Sequence, residues 1–262
     1  MVAADSRMGI IGGTIGYRML RFLSGRTKGN NEYTAYQERS KVEVLFGPEI
    51  WKEFEGKSVI DFGCEGGHEA IEVAKHGARK VIGLDIYEPS IAGARRNAEA
   101  AGVADRCVFA FETSEQVDVI MTLDAFEHFD DPPEVLRVMA GLLRPGGYVL
   151  ACFGPTWYHP LGGHGFSIFP WAHLVFTEGV FMRWHRDTCK DNVRRFSEVR
   201  GGLNQMTVRS FEKIVAQSPF RIESFEAVPI RKLRLFANRL TREFTTAVVK
   251  CRLELKDNGL SS

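Results

Sequence analysis

Two aspartates that each close an apolar run, Asp61 and Asp85, are the residues of this chain best placed to do chemistry. Asp61 lies in Val59-Ile-Asp-Phe-Gly-Cys-Glu-Gly-Gly-His68, where a buried strand turns into a glycine-bearing loop that should open a helix. Small residues in such a loop let the backbone come close to a bound molecule. Asp85 ends the run Lys80-Val-Ile-Gly-Leu-Asp85, 18 residues beyond Gly67, the usual reach of such units. Paired carboxylates at neighbouring strand ends suggest a nucleoside ligand. Imidazoles form a second set of candidates. His128 follows an apolar strand, and His159, His164 and His173 stand in an aromatic stretch with Trp157, Phe166, Phe169 and Trp171. A histidine that titrates near neutrality can take the proton from a hydroxyl or a protonated amine as that group attacks. The histidine spacings of five and nine residues match no metal-binding pattern, so no metal is expected.

The elements that must position these groups alternate as strand, helix, strand, the pattern of a parallel sheet covered on both faces. Ser58–Asp61 reads as the first central strand, Glu69–His76 as a helix stopped by Gly77, and Lys80–Asp85 as the second strand. Pro89–Ala101 reads as an alanine-rich helix closed by Gly102, followed by short strands at Arg106–Phe111 and Val117–Leu123. Asp130 or Asp131 can cap a helix begun by Pro132 and Pro133 and running to about Leu143. Arg144-Pro-Gly-Gly147 then predicts a tight turn into a strand at Tyr148–Phe153. Beyond it the regular pattern stops, with Gly162, Gly163 and Gly165 inside the aromatic region, which reads as an inserted cap. A helix at Thr207–Gln217, a strand at Arg221–Val228, a basic amphipathic link and a last strand near Phe244–Leu253 complete the pattern.

A chain of 262 residues with 44% hydrophobic content can bury a core without disulfides or metals. Its formal net charge of +1 gives no overall argument for a polyanionic partner, and no RNA-binding module accompanies the core, so nucleic acid is not expected. Five scattered cysteines, odd in number and without a CxxC pair, fit a reducing cytoplasm. The apolar patch at Ile10, Ile11 and Ile15 is cut by Arg18 and Arg21 too soon for a bilayer span and reads as a surface or capping helix.

Three ordered blocks carry a family resemblance: Val59–Gly67, the strand ending at Asp85, and Asp124-Ala-Phe-Glu-His128 followed by Leu142-Leu-Arg-Pro-Gly-Gly-Tyr148. With them the chain resembles the class I S-adenosylmethionine-dependent methyltransferases, particularly the small-molecule group that includes quinone-biosynthesis enzymes. One departure stands out, since that family usually has a glycine two residues after Gly63, where this chain has Glu65. The resemblance implies an α/β, Rossmann-like three-layer sandwich with a seven-stranded, mostly parallel sheet whose last strand is antiparallel. It divides the chain into a helical lid over 1–50, a cofactor-binding core over 51–153, an inserted acceptor cap over 154–206 and a completion of the sheet over 207–262. S-adenosylmethionine is the implied cofactor. Asp61, Gly63, Cys64 and Gly67 would surround its methionine part, Asp85 its ribose hydroxyls and Ile86 its adenine face. Glu112 or Thr113 would border the adenine, and Leu123 and Asp124 would reach the methionine end.

The same likeness implies transfer of a methyl group to a hydroxyl, or an amine, of a small aromatic acceptor such as a natural product or quinone precursor. His164 is the preferred proton acceptor because flanking glycines allow close approach, with His128 and His159 as the other candidates. Simpler readings stand beside these. Cys64 is a packing residue rather than a nucleophile, Glu112 is equally well a solvated strand end, and Tyr33, Tyr36 and Arg39 serve either a lid or an ordinary amphipathic helix. A second class of function is a non-catalytic cofactor-binding scaffold, or a metal-assisted enzyme. A third is a peripheral membrane protein. It rests on Arg18, Arg21 and Arg26 beside the first apolar patch, and on Arg231, Lys232, Arg234, Arg239 and Arg242 around Leu233, Leu235 and Phe236. Oligomeric state is not readable from these residues.

Overall fold

The computed structural model describes residues 9–24, 40–164, 169–189, 192–198 and 202–256. Tyr33, Tyr36, Arg39, Arg26, Gly165 and Phe166 lie outside the described residues. Seven strands form one sheet: β1 (Ser58–Phe62), β2 (Lys80–Leu84), β3 (Cys107–Ala110), β4 (Val117–Leu123), β5 (Leu143–Phe153), β6 (Phe220–Pro229) and β7 (Thr246–Leu255). Their order is β3-β2-β1-β4-β5-β7-β6. The pairs from β3 to β5 are parallel, and β7 runs antiparallel to both β5 and β6. This is the mixed sheet with one reversed strand that the motifs imply.

The central strands alternate their apolar side chains between the two faces, as a pleat of period two requires. Val59, Val81 and Val119 join one buried cluster with residues of the helices α4 (His68–Lys75) and α5 (Glu88–Ala100). The same cluster takes Val42 from α2 (Lys41–Phe46) and Phe54 from α3 (Ile50–Phe54). Ile60, Ile82 and Ile120 point the other way, into a cluster with α6 (Pro132–Leu142) and α9 (Val208–Gln217). There Phe126, Phe153 and Phe211 meet with ring centroids 4.9 to 5.9 Å apart. Helices on both faces of one sheet make the three layers.

A third cluster holds the aromatic region together. Trp157, Phe176, Phe181 and Phe196 pack with Tyr17 and Leu20, which come from α1 (Gly13–Ser24). The insertion also contains α7 (Ala172–Val175) and α8 (Glu178–Cys189). Ahead of α1, the backbone bonds the insertion directly: Gly9 N–H donates to Phe176 O at 3.2 Å, Ile11 N–H to Val175 O at 3.0 Å, and Thr177 N–H to Ile11 O at 3.1 Å. The amphipathic N-terminal helix thus buttresses the insertion.

Two element boundaries differ from the sequence pattern. The Arg144-Pro-Gly-Gly147 turn is absorbed into β5, which begins at Leu143 opposite Val117 and shifts register before Tyr148 meets Val119. Arg144 anchors that bulge by donating to Asp118 Oδ1 at 3.0 Å and Ser58 Oγ at 2.8 Å. The last strand begins at Thr246 rather than Phe244, because Arg242–Thr245 forms a helical turn, α10. That turn is held on α9: Glu243 accepts the Val208 and Arg209 N–H groups at 3.1 and 2.8 Å, and Arg242 pairs with both oxygens of Glu212. Among the described residues no helix is long and apolar enough to cross a membrane.

Candidate functional site

Strand order reverses between β1 and β4, since the chain winds outward on one side through β2 and β3 and on the other through β5. At such a point the loops leaving the carboxyl ends diverge and leave a crevice, where ligands of open α/β sheets bind. Asp61 and Gly63 lie on one side of it, Leu123 and Asp124 on the other.

The glycine loop has a backbone only partly suited to its residues. Gly63 and Gly67 have φ of 88° and 75°, which an L side chain adopts rarely. A Cβ on Gly67 would stand 2.7 Å from the Phe109 ring, so the loop also relies on a close approach to β3. Glu65 holds φ of 44° despite its side chain. Its N–H donates to Asp85 Oδ2 at 2.9 Å, which ties the glycine loop to the end of β2 and recovers the turn where the family has glycine. Asp85 Oδ1 accepts the Tyr87 N–H at 2.8 Å, so the carboxylate is aimed by backbone on both sides. Ile86, next to it, is 96% exposed.

Asp61 is buried, and burial, reinforced by the nearby charge of Glu69, pushes its carboxyl up to about 8. Cys64 is buried too, and burial followed by the charge of Asp61 holds its thiol well above the ordinary range, which leaves it a packing residue. Lys41 brings a positive charge that lowers the Asp61 carboxyl, and its Nζ stands 2.8 Å from Asp124 Oδ2. Glu69, in the first turn of α4, accepts Lys41 N–H at 3.0 Å and Val42 N–H at 3.2 Å and also takes the Ser40 hydroxyl. The start of α2 is therefore pinned over the glycine loop. Lys41 and Glu69 were not singled out from the sequence, although Ser40-Lys-Val-Glu43 is a helix-start pattern that announces α2.

On the β4 side, the turn Phe126–His128 buries Glu127, a residue of the Asp124–His128 block that drew no attention as an isolated glutamate. Burial, then the charge of Asp124, pushes its carboxyl up to about 8. Glu127 Oε1 accepts the Gly154 N–H at 3.0 Å and lies 4.0 Å from His164 Nε2. Glu127 Oε2 and His164 Nε2 are both buried without a hydrogen-bond partner. The Pro155 carbonyl also bonds the His164 ring. Burial, with His128 adding to it, pushes the His164 imidazole down to about 3, so the resting ring is neutral at physiological pH. The His128 ring sits 5.3 Å away from it, and His128 Nδ1 meets Gly202 O at 3.0 Å. Asn204 clamps the same turn: its Nδ2 donates to Phe126 O at 2.8 Å and Phe129 O at 3.0 Å, and its N–H to Glu127 O at 2.9 Å.

The other candidates make contacts of their own. His159 Nδ1 accepts the Leu161 N–H at 2.9 Å, and burial pushes that imidazole down to about 4. His173 is buried against Trp157, whose carbonyl meets its Nε2 at 2.6 Å, and both rings belong to the interior of the insertion. Glu112 is exposed just beyond β3.

These residues fit a cationic nucleoside. Two buried carboxyls held above their ordinary range would gain by meeting positive charge, and an exposed apolar Ile86 beside a backbone-aimed carboxylate suits a purine nucleoside. Residues 31–224 match the Methyltransferase domain family. The chain belongs to that family. With the fold and the three ordered blocks, it is a class I, S-adenosylmethionine-dependent member. A ubiquinone biosynthesis O-methyltransferase of Neisseria meningitidis serogroup C is 37% identical over 101 residues, 36% of this chain and 42% of that protein. A ribosomal protein L11 methyltransferase of Photobacterium profundum is 39% identical over 93 residues, 35% of this chain and 32% of that protein. The chain thus matches less than half the length of either relative, and the same core aligns with enzymes named for a quinone and for a protein. A solved S-adenosylmethionine-dependent methyltransferase of Mesorhizobium loti superposes with a TM-score of 0.50 at 19% identity, covering 77% of this chain and 92% of that one. This likeness is one of fold. The methyltransferase core is shared among such proteins.

Proposed function

We propose that this chain moves a methyl group from S-adenosylmethionine to a hydroxyl of a small aromatic acceptor, with an amine as the alternative receiving atom. The observation that carries the proposal is the buried, unpartnered Nε2 of His164, 4.0 Å from Glu127 on the acceptor side of the crevice. The ubiquinone-biosynthesis relatives support an oxygen acceptor, in the manner of a quinone precursor.

When bound, the donor supplies a methyl carbon already activated by its sulfonium, so the protein's main work is alignment and proton removal. Asp85, fixed by the Glu65 and Tyr87 N–H groups, has the remaining lone pairs to accept both ribose hydroxyls. Ile86 covers the adenine. Asp61, Gly63, Cys64 and Gly67 line the methionine end, with Leu123 and Asp124 opposite, and Lys41 is placed to meet a carboxylate there. His164 Nε2, which has no hydrogen-bond partner, would take the proton of the acceptor hydroxyl as that oxygen meets the methyl carbon the donor would supply. A Glu127 carboxyl oxygen, 4.0 Å away, would steady the imidazolium. His128 borders the same space. Residues 154–206 shape the acceptor side, and residues 51–153 the donor side.

Turnover of methyl-labelled S-adenosylmethionine with a panel of phenols, catechols and amines tests the reading. Label is expected on a hydroxyl of an aromatic compound. Transfer to none of the panel, with the cofactor tightly bound, would instead favour the scaffold alternative.

A further inference from the structure

The crossover from β6 to β7 carries none of the groups assigned above to methyl transfer, and its surface is unusual. β6 runs antiparallel to β7 and β7 antiparallel to β5, so β6 ends at the same edge of the sheet as β5. The crossover therefore emerges at the same edge of the sheet as the crevice, beyond β5 and β7, and touches the insertion, with the Phe244 and Tyr158 rings 5.1 Å apart. Its sequence, residues 230–245, contains five basic residues and one acidic residue, Glu243, which is turned back to the Val208 and Arg209 N–H groups of α9. Arg231–Phe236 forms a short helical turn with no buried residue. Leu235 is 95% exposed, Leu240 93% and Phe236 66%. Arg231, Lys232, Arg234 and Arg239 are exposed as well, and none forms an ion pair among the described residues. Arg242 is the exception, paired to Glu212.

The segment is nevertheless ordered by its own bonds. Ile230 N–H donates to Thr245 O at 2.7 Å, closing the base of the crossover, and Asn238 Oδ1 accepts the Leu240 and Thr241 N–H groups at 2.8 and 3.2 Å. Nothing in this network needs the apolar side chains to face water. Three large apolar groups kept outward, among four unpaired cations, match a surface that is apolar within and anionic at its rim.

We propose that the β6–β7 crossover docks this protein on an anionic lipid bilayer, with Leu235, Phe236 and Leu240 entering the acyl boundary and Arg231, Lys232, Arg234 and Arg239 meeting lipid phosphates. A second protein would more often supply its own acids in a groove, whereas a protruding tip that mixes leucine with arginine suits the graded polarity of a lipid interface. Docked this way, the edge of the sheet that carries the crevice turns toward the membrane, from which an apolar acceptor could pass sideways. The docking itself does not depend on the methyl-transfer reading.

Co-sedimentation of the full chain with vesicles of phosphatidylcholine, alone or mixed with phosphatidylglycerol, tests it. Binding is expected to the mixed vesicles and to weaken in high salt. The double variant Leu235→Ser/Leu240→Ser should lose about tenfold or more per leucine, and Arg231→Gln/Lys232→Gln/Arg234→Gln about fivefold per residue. All the altered side chains are exposed, so an unchanged melting temperature shows that folding is intact. No binding to the mixed vesicles, or binding that neither variant weakens, overturns the proposal. So does a leucine variant that dissolves a dimer in sedimentation velocity while vesicle binding persists, which would give the face to a second copy. Binding to transfer RNA that depends on the arginines but not the leucines would give it to nucleic acid and overturn it equally.

Discussion

The two walls of the crevice are assembled by different means. On the β1–β2 wall, Asp61, Gly63, Gly67 and Asp85 fall within one strand–loop–helix–strand unit, and the backbone itself aims the carboxylate of Asp85. On the β4–β5 wall, Glu127 meets His164 from the insertion, and Gly202 and Asn204 return from its far end to hold the turn. The first wall can form wherever that unit folds, while the second exists only if the insertion packs. Donor binding should therefore tolerate damage to the insertion that abolishes transfer.

Replacing His164 by alanine offers the sharpest separation. With His164 as the proposed base, its loss should lower kcat by about a thousandfold, while the affinity for S-adenosylhomocysteine in a calorimetric titration should stay as it was. A matching fall in affinity would merge the two walls into one. Asp85→Ala acts on the other side: two hydrogen bonds to a charged acceptor are worth about a hundredfold in S-adenosylhomocysteine affinity. Unchanged tight binding removes Asp85 from the site.

Protons distinguish the walls further. Asp61 holds a carboxyl pushed up to about 8, and a cationic ammonium group binds its ionised form better. Affinity for S-adenosylhomocysteine should therefore climb severalfold as pH rises between about 6 and 8, with proton release on binding. Asp61→Asn flattens that slope, and a slope that survives the substitution assigns it to another group. Glu127 governs stability instead. Its folded-state value of about 8 exceeds the roughly 4.3 of an unfolded glutamate, so the native state holds the extra proton. Stability from this residue is full below the unfolded value and is lost as pH rises through about 8. Denaturation midpoints measured at low and high pH should differ less in Glu127→Gln than in the unaltered chain. The smallest effect belongs to Glu65→Gly, which relieves a non-glycine residue at positive φ and should add about 1 kcal/mol in urea unfolding, less the entropy that glycine costs.

What the sequence showed in advance follows the same division. The Val59–Gly67 block, Asp85 and the strand at Val117–Leu123 were readable because alternation, glycine placement and strand-end acids are local signals. The reversed last strand came with the family likeness. By contrast, Lys41 reaches Asp124 across the fold, and Glu127 meets His164 only after β5 and the insertion have been placed. No spacing rule relates such residues. The aromatics after Phe153 were visible, but their division into interior and site was not: Trp157 and His173 pack the insertion, while His164 turns toward Glu127. Arg144-Pro-Gly-Gly147 misled for a related reason, since glycine and proline also serve a bulge that a long-range arginine anchors.

The backbone bonds that join Gly9 and Ile11 to the 175–177 segment give the amino end a duty remote from its place in the chain. Loss of residues 9–20 would take Tyr17 and Leu20 away from the rings around Phe181 and leave the glycine loop untouched, so it should loosen the insertion while sparing the donor's berth.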